Sequence, residues 1–224
     1  MSRNFELSID EFYHLYDRGV EKRKIFLDDD DHIRFQSLLY ACNSTNTIHV
    51  SDYWDHSRDS IFSLPKEESI VDIGAYCLMP NHFHLLVKEK IEGGISLFMQ
   101  KLITGYTMYF NKKYERRGAL FEGTFRAKYL DTDVYLKYQY AYIHLNPIGI
   151  IDKGWKEKKI ADKKEAKEFL SKYLYSSYMD YSDNQKRTES TILNKSAFPE
   201  YFAELTEFNS MINEWLNFED DVLG

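Results

Sequence analysis

The chain has 224 residues, of which 43% are hydrophobic and 16% aromatic, and its formal net charge is −7. This length is enough for one sizeable domain with appendages, and the apolar content excludes an intrinsically disordered chain. No apolar run approaches the roughly 20 residues that a membrane span needs, and the N-terminus lacks the apolar core of a signal peptide, so we expect a cytoplasmic protein without a membrane partner. Two cysteines, Cys42 and Cys77, are too few for a disulfide framework or a zinc ribbon.

The charge is unevenly distributed along the chain. Seven Lys or Arg face two Glu between Lys101 and Lys128, a local net charge of +5, whereas nine acidic residues face three basic ones from Asp183 onward, a net charge of −6. Proteins that bind nucleic acids contact phosphates with basic surfaces. The basic stretch 101–128 therefore favours a nucleic-acid partner, although the net charge of the whole chain does not. An ordinary solvated face explains the same stretch.

The first part of the chain predicts a strand, a helix and two further strands. Residues 11–17 alternate as a half-buried strand does. The acidic residues 28–31 suit a helix N-terminus better than a metal site, because the helix dipole favours carboxylates there. Turn-forming residues dominate 44–69, which we interpret as an insertion. Strands at about 70–78 and 82–88 then follow as a hairpin.

The second part predicts a helix, a strand and a helix, followed by an extension. Helical spacing runs over residues 95–115, a strand over 124–130, and a new helix begins at the capping residues 131–133 and ends at Pro147. The element order predicts an α+β fold with an antiparallel sheet and helices on one face. Residues 153–224 predict a helical extension with an acidic tail, including an amphipathic helix at about 199–218.

Two histidines lie on the second strand of the predicted hairpin. Side chains alternate between the faces of a strand, so His82 and His84 would present two imidazoles to one side while Phe83 anchors the strand in the core. Two imidazoles form half of a metal site. A His-apolar-His triplet also arises by chance, and the two rings could simply form hydrogen bonds at the sheet surface.

A tyrosine and an asparagine share a face of the last predicted core helix. Tyr142 and Asn146 are four residues apart, which places a phenol and a carboxamide one helical turn from each other. Tyr135 and Tyr138 fall on the same face as Tyr142, so an aromatic core stripe is an alternative interpretation.

These two stretches resemble the signature of the single-tyrosine HUH transposases, the IS200-like family that includes the REP-associated tyrosine transposases. The stretches that carry the resemblance are 78–85 (LMPNHFHL) and 142–147 (YIHLNP), with shorter similarities at 12–14 (FYH), 18–19 (RG), 123–126 (GTFR) and 175–178 (YSSY). The resemblance covers roughly residues 10 to 152.

The resemblance implies both a fold and a site. The fold is a ferredoxin-like or RRM-like sheet in a catalytic domain over residues 1–152, with 153–224 as the extension. The implied nucleophile is Tyr142, and His82, His84 and Asn146 are the implied metal ligands. Two imidazoles leave coordination positions open for oxygen ligands, which suits Mg²⁺ or Mn²⁺ better than a closed structural zinc site. The insertion-sequence branch of the family commonly has glutamine where this chain has Asn146.

The resemblance further implies a single-stranded DNA nickase and strand transferase, a transposase that acts through a 5′-phosphotyrosine on hairpin-containing DNA. A homodimer is an assembly to expect in this family. We expect His144 to take part in packing or DNA contact rather than in metal ligation, because it lies about half a helical turn from the Tyr142 face. The candidate DNA-binding residues are Arg18, Lys112, Arg116, Arg117, Arg126 and Lys128.

Two other functions stay open at this point. A binding module could keep the fold and recognise DNA hairpins without catalysis, which the acidic net charge mildly favours. A related HUH nickase could start replication or plasmid transfer, but such proteins usually carry a helicase or a second tyrosine, and the chain has no P-loop pattern.

Overall fold

The computed structural model of the chain describes residues 6–53, 61–157, 160–183 and 187–217. The strands in this part of the chain form one antiparallel sheet in the order β2-β3-β1-β4. They are β1 (Phe12–Arg18), β2 (Val71–Met79), β3 (His82–Glu89) and β4 (Arg126–Tyr129). A helix between β1 and β2, a β2–β3 hairpin and a helix between β3 and β4 give the predicted ferredoxin-like arrangement.

The helices of the core agree with the predicted order, and the structure adds two short helices that the sequence analysis did not predict. The helices are α1 (Asp29–Ala41), α2 (Gly94–Lys113), α3 (Asp133–Leu145), α4 (Ile148–Ile151), α5 (Lys163–Lys172), α6 (Tyr178–Ser182) and α7 (Leu205–Asn217). The acidic residues 28–31 form the N-terminus of α1, where the Asp28 carboxylate caps the helix by accepting a hydrogen bond from the Asp31 amide. Thr132 caps α3 by accepting from the amide of Tyr135. Pro147 follows the end of α3 and leads directly into the short α4.

The first face of the sheet is apolar and packs against α1 and α2. Phe83, Leu85 and Val87 of β3 lie in one buried cluster with α1 residues such as Phe35 and α2 residues such as Phe98. Each of these side chains is fully buried. The period-two alternation of β3 therefore puts Phe83, Leu85 and Val87 on this side, as the sequence predicts for Phe83.

The second face is covered by α3 and by the C-terminal extension. Cys77 of β2 and Leu86 of β3 lie in a second buried cluster with Tyr140 of α3, Leu170 of α5 and Phe208 of α7. The α+β class and the antiparallel sheet are confirmed, while helices lie on both faces and not only on the face of α1 and α2. The amphipathic α7 finds its apolar partner in this cluster.

The edge strand β2 is closed by the segment between α5 and α6. The Leu78 amide donates to the Tyr175 carbonyl, and the Ser177 amide donates to the Tyr76 carbonyl, both over 2.9 Å. The Ser177 hydroxyl oxygen also accepts from the Tyr76 amide at 2.9 Å. The stretch 175–178 thus supplies backbone partners that an exposed edge would lack.

The remaining expectations concern membrane-spanning helices, the two cysteines and the segment 44–69. No helix within the described ranges combines the length and the apolar character that crossing a membrane requires. Cys42 and Cys77 are buried and unpaired. The segment 44–69 contains a 3-10 helix at Val50–Tyr53, and its residues 54–60 lie outside the described part of the chain, as do the acidic residues 219–221.

Candidate active site

Three histidines meet on the second face of the sheet, at the end nearest α3. The β1–β3 register pairs Tyr16 with His84 and Arg18 with His82, so these side chains share one face. His14 lies diagonally across from His84, and its Nε2 is 2.8 Å from His84 Nδ1. The Nδ1 atom of His82 is 2.7 Å from the Asn81 carboxamide oxygen.

Each of the two predicted ligands therefore has its Nδ1 engaged by a neighbouring side chain. His84 Nε2 is buried and has no hydrogen-bond partner. An arrangement in which Nδ1 is held by a neighbour is the one that orients the Nε2 of metal-binding histidines. An unpartnered buried nitrogen is costly, which marks His84 Nε2 as an atom that a ligand would satisfy.

The imidazoles are kept neutral. Burial, assisted by the positive charges of Lys156 and Arg18, lowers the pKa of His82 to about 4. Burial, assisted by the charges of Lys128 and Lys156, lowers the pKa of His14 to about 3. The pKa of His84 lies well below its ordinary value, chiefly because of burial. Neutral imidazole is the form that binds metal ions, so the site is in this form at neutral pH.

Tyr142 of α3 lies over this histidine cluster. Its ring is edge-on to His84, with the ring centroids 5.6 Å apart and the planes at 80°. The His14 ring is 6.2 Å away. The phenol is half-buried, and Lys156 Nζ is 2.5 Å from its oxygen. The predicted nucleophile and the two predicted ligands are thus brought together, within one chain.

Asn146 is the residue immediately after α3 and is buried. Its side-chain amide is 3.4 Å from the Tyr142 carbonyl, which leaves the carboxamide oxygen directed away from the helix. A side-chain interaction with Asn146 raises the pKa of His82 and so partly opposes the effect of burial, which is the direction expected when the carboxamide oxygen accepts from the imidazole. In the described ranges, no three His, Cys, Asp or Glu side chains come together as a metal-binding group, so the candidate set is two imidazoles and one carboxamide.

The tyrosines of α3 separate into core and site residues. Tyr140 is fully buried in the second cluster, whereas Tyr138 is 46% exposed and stacks beside Tyr142 at 6.4 Å. Tyr135 and Tyr142 are partly buried against the second cluster, so the aromatic stripe is present in part, while Tyr138 is exposed. His144 is buried, with Nδ1 3.0 Å from the Tyr140 carbonyl and Nε2 2.8 Å from the Ser177 hydroxyl, which makes it a packing residue.

Three of the predicted DNA-binding residues surround the histidines. The β1–β4 register places Arg126 opposite Tyr16 and Lys128 opposite His14, on the same face as the site. Arg18 pairs with Glu122 at 3.0 Å. A pocket of about 320 Å³ opens here and is lined by Tyr16, Asp17, Arg18, Asn81, His82, Glu122, Arg126 and Lys156.

The other three predicted DNA-binding residues lie at or just after the end of α2, which packs on the opposite face of the sheet. Lys112 lines a separate groove between α1 and α2. Arg116 donates to the Asn111 side chain at 2.7 Å and contacts the Phe110 ring, so it holds the end of the helix. Arg117 is exposed. The structure does not bring these three side chains into the histidine pocket.

Two residues of the site were missed by the sequence analysis. His14 alternates with Tyr16 on β1, and this spacing could have placed it beside the histidines once the β1–β3 pairing was assumed. No sequence pattern indicated Lys156, because its position depends on how the turn after α4 packs.

The fold and site together define a protein with a ferredoxin-like sheet that carries a histidine pair and a helix-borne tyrosine on one face. Residues 33–146, just over half of the chain, match the family described as transposase IS200-like, and the chain belongs to this family. The matched region includes His82, His84, Tyr142 and Asn146.

One solved structure shares the fold. A REP-associated tyrosine transposase bound to a REP hairpin is similar with a TM-score of 0.51 and 10% sequence identity, over 84% of this chain and 89% of that chain. The tRNA(His) guanylyltransferase from Saccharomyces cerevisiae aligns with a TM-score of 0.35 and 12% identity, over 90% and 86% of the two chains, which is too low to indicate a common fold. No curated protein matches the chain.

Proposed function

We propose that this chain is a metal-dependent nickase and strand transferase for single-stranded DNA, with Tyr142 as the nucleophile. The observation that carries the proposal is the Tyr142 phenol edge-on to His84, whose Nε2 is buried without a partner. A structural tyrosine does not need an unsatisfied imidazole nitrogen beside it. Membership in the transposase family supports the same reaction.

The residues present fit a divalent cation. His82 and His84 are neutral, each has its Nδ1 held by a neighbour, and the Asn146 carboxamide could supply an oxygen ligand. Mg²⁺ or Mn²⁺ bound there would polarise a phosphate oxygen as a Lewis acid and orient the scissile bond. Asn146 is shorter than the glutamine of related transposases, but its position directly after α3 brings it to His82.

The chain's own residues account for the covalent step. The Tyr142 oxygen loses its proton to solvent and bonds to phosphorus, while the bond from phosphorus to the 3′ oxygen breaks and that oxygen takes up a proton. The protein is then joined to the 5′ phosphate. Attack by another 3′-hydroxyl reverses these changes and joins two strands, because the phosphodiester energy is kept in the phosphotyrosine.

We propose hairpin-containing DNA as the substrate. Arg18, Arg126 and Lys128 form a basic rim on the face of Tyr142 and would contact phosphates near the reacting bond. Tyr138, exposed beside Tyr142, offers a surface for stacking a base. The transposase of similar fold is bound to a REP hairpin, which supports this substrate class. Tyr142, His82, His84 and Asn146 come from one chain, so the proposed site can form with or without the homodimer that we expect in this family.

The test is covalent capture. Labelled single strands with hairpins, from the genomic flanks of the gene, are mixed with the protein and Mn²⁺ or Mg²⁺ and resolved on a denaturing gel. We expect a protein-DNA band that disappears with chelator and in Tyr142→Phe. Tyr135→Phe is the matched control, because it removes a phenol on the same helical face from a residue without a proposed role, and it should keep the band. Hairpin binding without any band would instead support the silent binding module.

A further inference from the structure

The C-terminal extension contributes a charged side chain to the proposed site. Lys156 Nζ lies 2.5 Å from the Tyr142 oxygen and 4.5 Å from the centre of its ring. This lysine lies beyond the region that matches the transposase family, which ends at residue 146. The nucleophilic oxygen is therefore contacted by a residue that the family match does not include.

The position of Lys156 is fixed by its neighbour. Trp155 is buried in the second cluster and stacks on Tyr142 at 6.1 Å. Its indole nitrogen would be 3.1 Å from a Cβ at Gly149 of α4, so the turn packs closely on that helix. The Asp152 amide donates to the Ile148 carbonyl over 2.8 Å, and the Gly154 amide donates to the Asp152 carboxylate over 3.0 Å. The anchored turn holds the Lys156 backbone beside α3 while its side chain stays exposed.

The charge of Lys156 acts on the whole site. It contributes to lowering the pKa of His14, His82 and His84, so it lies within electrostatic range of all three imidazoles. Arg18 and Arg126 line the same pocket. An ammonium beside a metal site opposes cation binding, and an anion that enters the pocket would offset this repulsion. The phosphate group of a DNA strand is such an anion.

We propose that Lys156 is a catalytic residue whose ammonium group stabilises the negative charge on the Tyr142 oxygen during attack and departure, an inference that rests on the proposed function. When the phenol attacks, its proton goes to solvent and charge is concentrated on the oxygen until the bond to phosphorus forms. In strand transfer the bond between phosphorus and this oxygen breaks, and the leaving phenolate is again beside the ammonium. The contact between Lys156 and the Tyr142 oxygen therefore stabilises the charged oxygen in both steps, because the bond from this oxygen to phosphorus forms in the first step and breaks in the second.

The experiment compares three variants in covalent capture at saturating hairpin and metal. We expect Lys156→Met to form the adduct about 100-fold more slowly than the wild type, the scale of losing one charge-stabilising donor. Lys156→Arg keeps the positive charge and should lie within about 10-fold of the wild type. Lys153→Met, in the same turn and also exposed, should react at the wild-type rate. Hairpin affinity, measured by anisotropy with Ca²⁺ in place of the active metal, should be nearly equal in all three.

Two outcomes would overturn the inference: Lys156→Met reacting at nearly the wild-type rate, or Lys156→Arg reacting as slowly as Lys156→Met. Chemical rescue of Lys156→Ala by ethylammonium would support it, since a purely structural loss is not restored by a small cation.

A second readout separates this inference from the proposed function. The ¹³Cζ resonance of Tyr142, assigned by its loss in Tyr142→Phe, should move in Lys156→Met and stay in place in Lys153→Met. If the wild type forms no adduct with any strand, the proposed function falls and the catalytic role of Lys156 falls with it, while the resonance still reports the contact. If the adduct forms but neither rate nor resonance changes in Lys156→Met, only the role of Lys156 is refuted.

Discussion

The two faces of β3 differ in what they bury. Phe83, Leu85 and Val87 enter a fully apolar cluster under α1 and α2. On the other face His84 lies under Tyr142 with His82 beside it, and only Leu86 joins the second apolar cluster. One strand thus supplies a rigid core from one set of alternating residues and a polar site from the other set. Apolar packing behind the histidines holds them in position, which a reactive geometry requires.

The residues on one face of β3 determine the stability of the fold, whereas those on the other face form the proposed reactive site. The first face consists of side chains whose removal leaves a cavity. The second face contains imidazoles with low pKa values and two unpartnered ring nitrogens, His84 Nε2 and His14 Nδ1, features that cost stability and that a ligand could offset. Substitutions on neighbouring residues of one strand should therefore have opposite consequences.

The largest expected effect is on the reaction, from His84→Ala. Removing the imidazole takes away a proposed ligand directly under Tyr142, so we expect no detectable covalent adduct while the protein remains folded. Adduct formation is measured on a denaturing gel and folding by circular dichroism. An adduct formed at the wild-type rate by folded His84→Ala protein would show that the polar face has no catalytic role.

Phe83→Ala, one residue earlier, should affect stability. Its ring is fully buried against Phe35 at 5.1 Å, so truncation leaves a cavity and we expect a loss of about 3–5 kcal/mol in the free energy of unfolding. Urea denaturation measures this loss. Under conditions where the variant is folded, adduct formation should persist, and a loss below 1 kcal/mol would contradict the assignment of this face as the main core.

His14→Phe should weaken metal binding without removing a proposed ligand. His14 accepts from His84 Nδ1 in the arrangement that leaves His84 Nε2 for the metal, and loss of such a supporting contact typically costs about 10- to 100-fold in metal affinity. Mn²⁺ titration followed by electron paramagnetic resonance measures the affinity directly. Unchanged Mn²⁺ affinity would mean that the contact between His14 and His84 does not orient the ligand.

The smallest expected effect is a pH dependence of stability from His144. Burial lowers the pKa of His144 to about 3, whereas an unfolded histidine titrates near 6.5. Between these values the unfolded state binds a proton that the native state does not, so stability is complete above pH 6.5 and falls as the pH decreases. The slope is up to about 1.4 kcal/mol per pH unit.

His144→Gln removes this contribution. Urea denaturation between pH 6.5 and 4 should show a shallower loss of stability on acidification than in the wild type, even if the variant is less stable throughout. If the free energy of unfolding changes with pH by the same slope in both proteins, His144 is not buried in the neutral form described above.

The sequence predicted what depends on neighbours along the chain. Alternation in β1 and β3 predicted the strands and placed His82 and His84 on one face, and the four-residue spacing placed Tyr142 with Asn146. What it could not predict depends on packing between distant segments. The extension covers the second face through α7 and Phe208, and Lys156 reaches Tyr142 because Trp155 is buried. The contact between His14 and His84 required the register of two strands that are 70 residues apart.

The most direct test of the central claim is to locate the covalent bond. The protein is reacted with a hairpin-containing strand and Mn²⁺, the DNA is trimmed with nuclease, and peptides are analysed by mass spectrometry. We predict that the 5′ phosphate of the cleaved strand remains on the peptide that contains Tyr142, attached to that tyrosine. Attachment to any other of the 18 tyrosines, or cleavage that leaves no nucleotide on the protein, would contradict the mechanism.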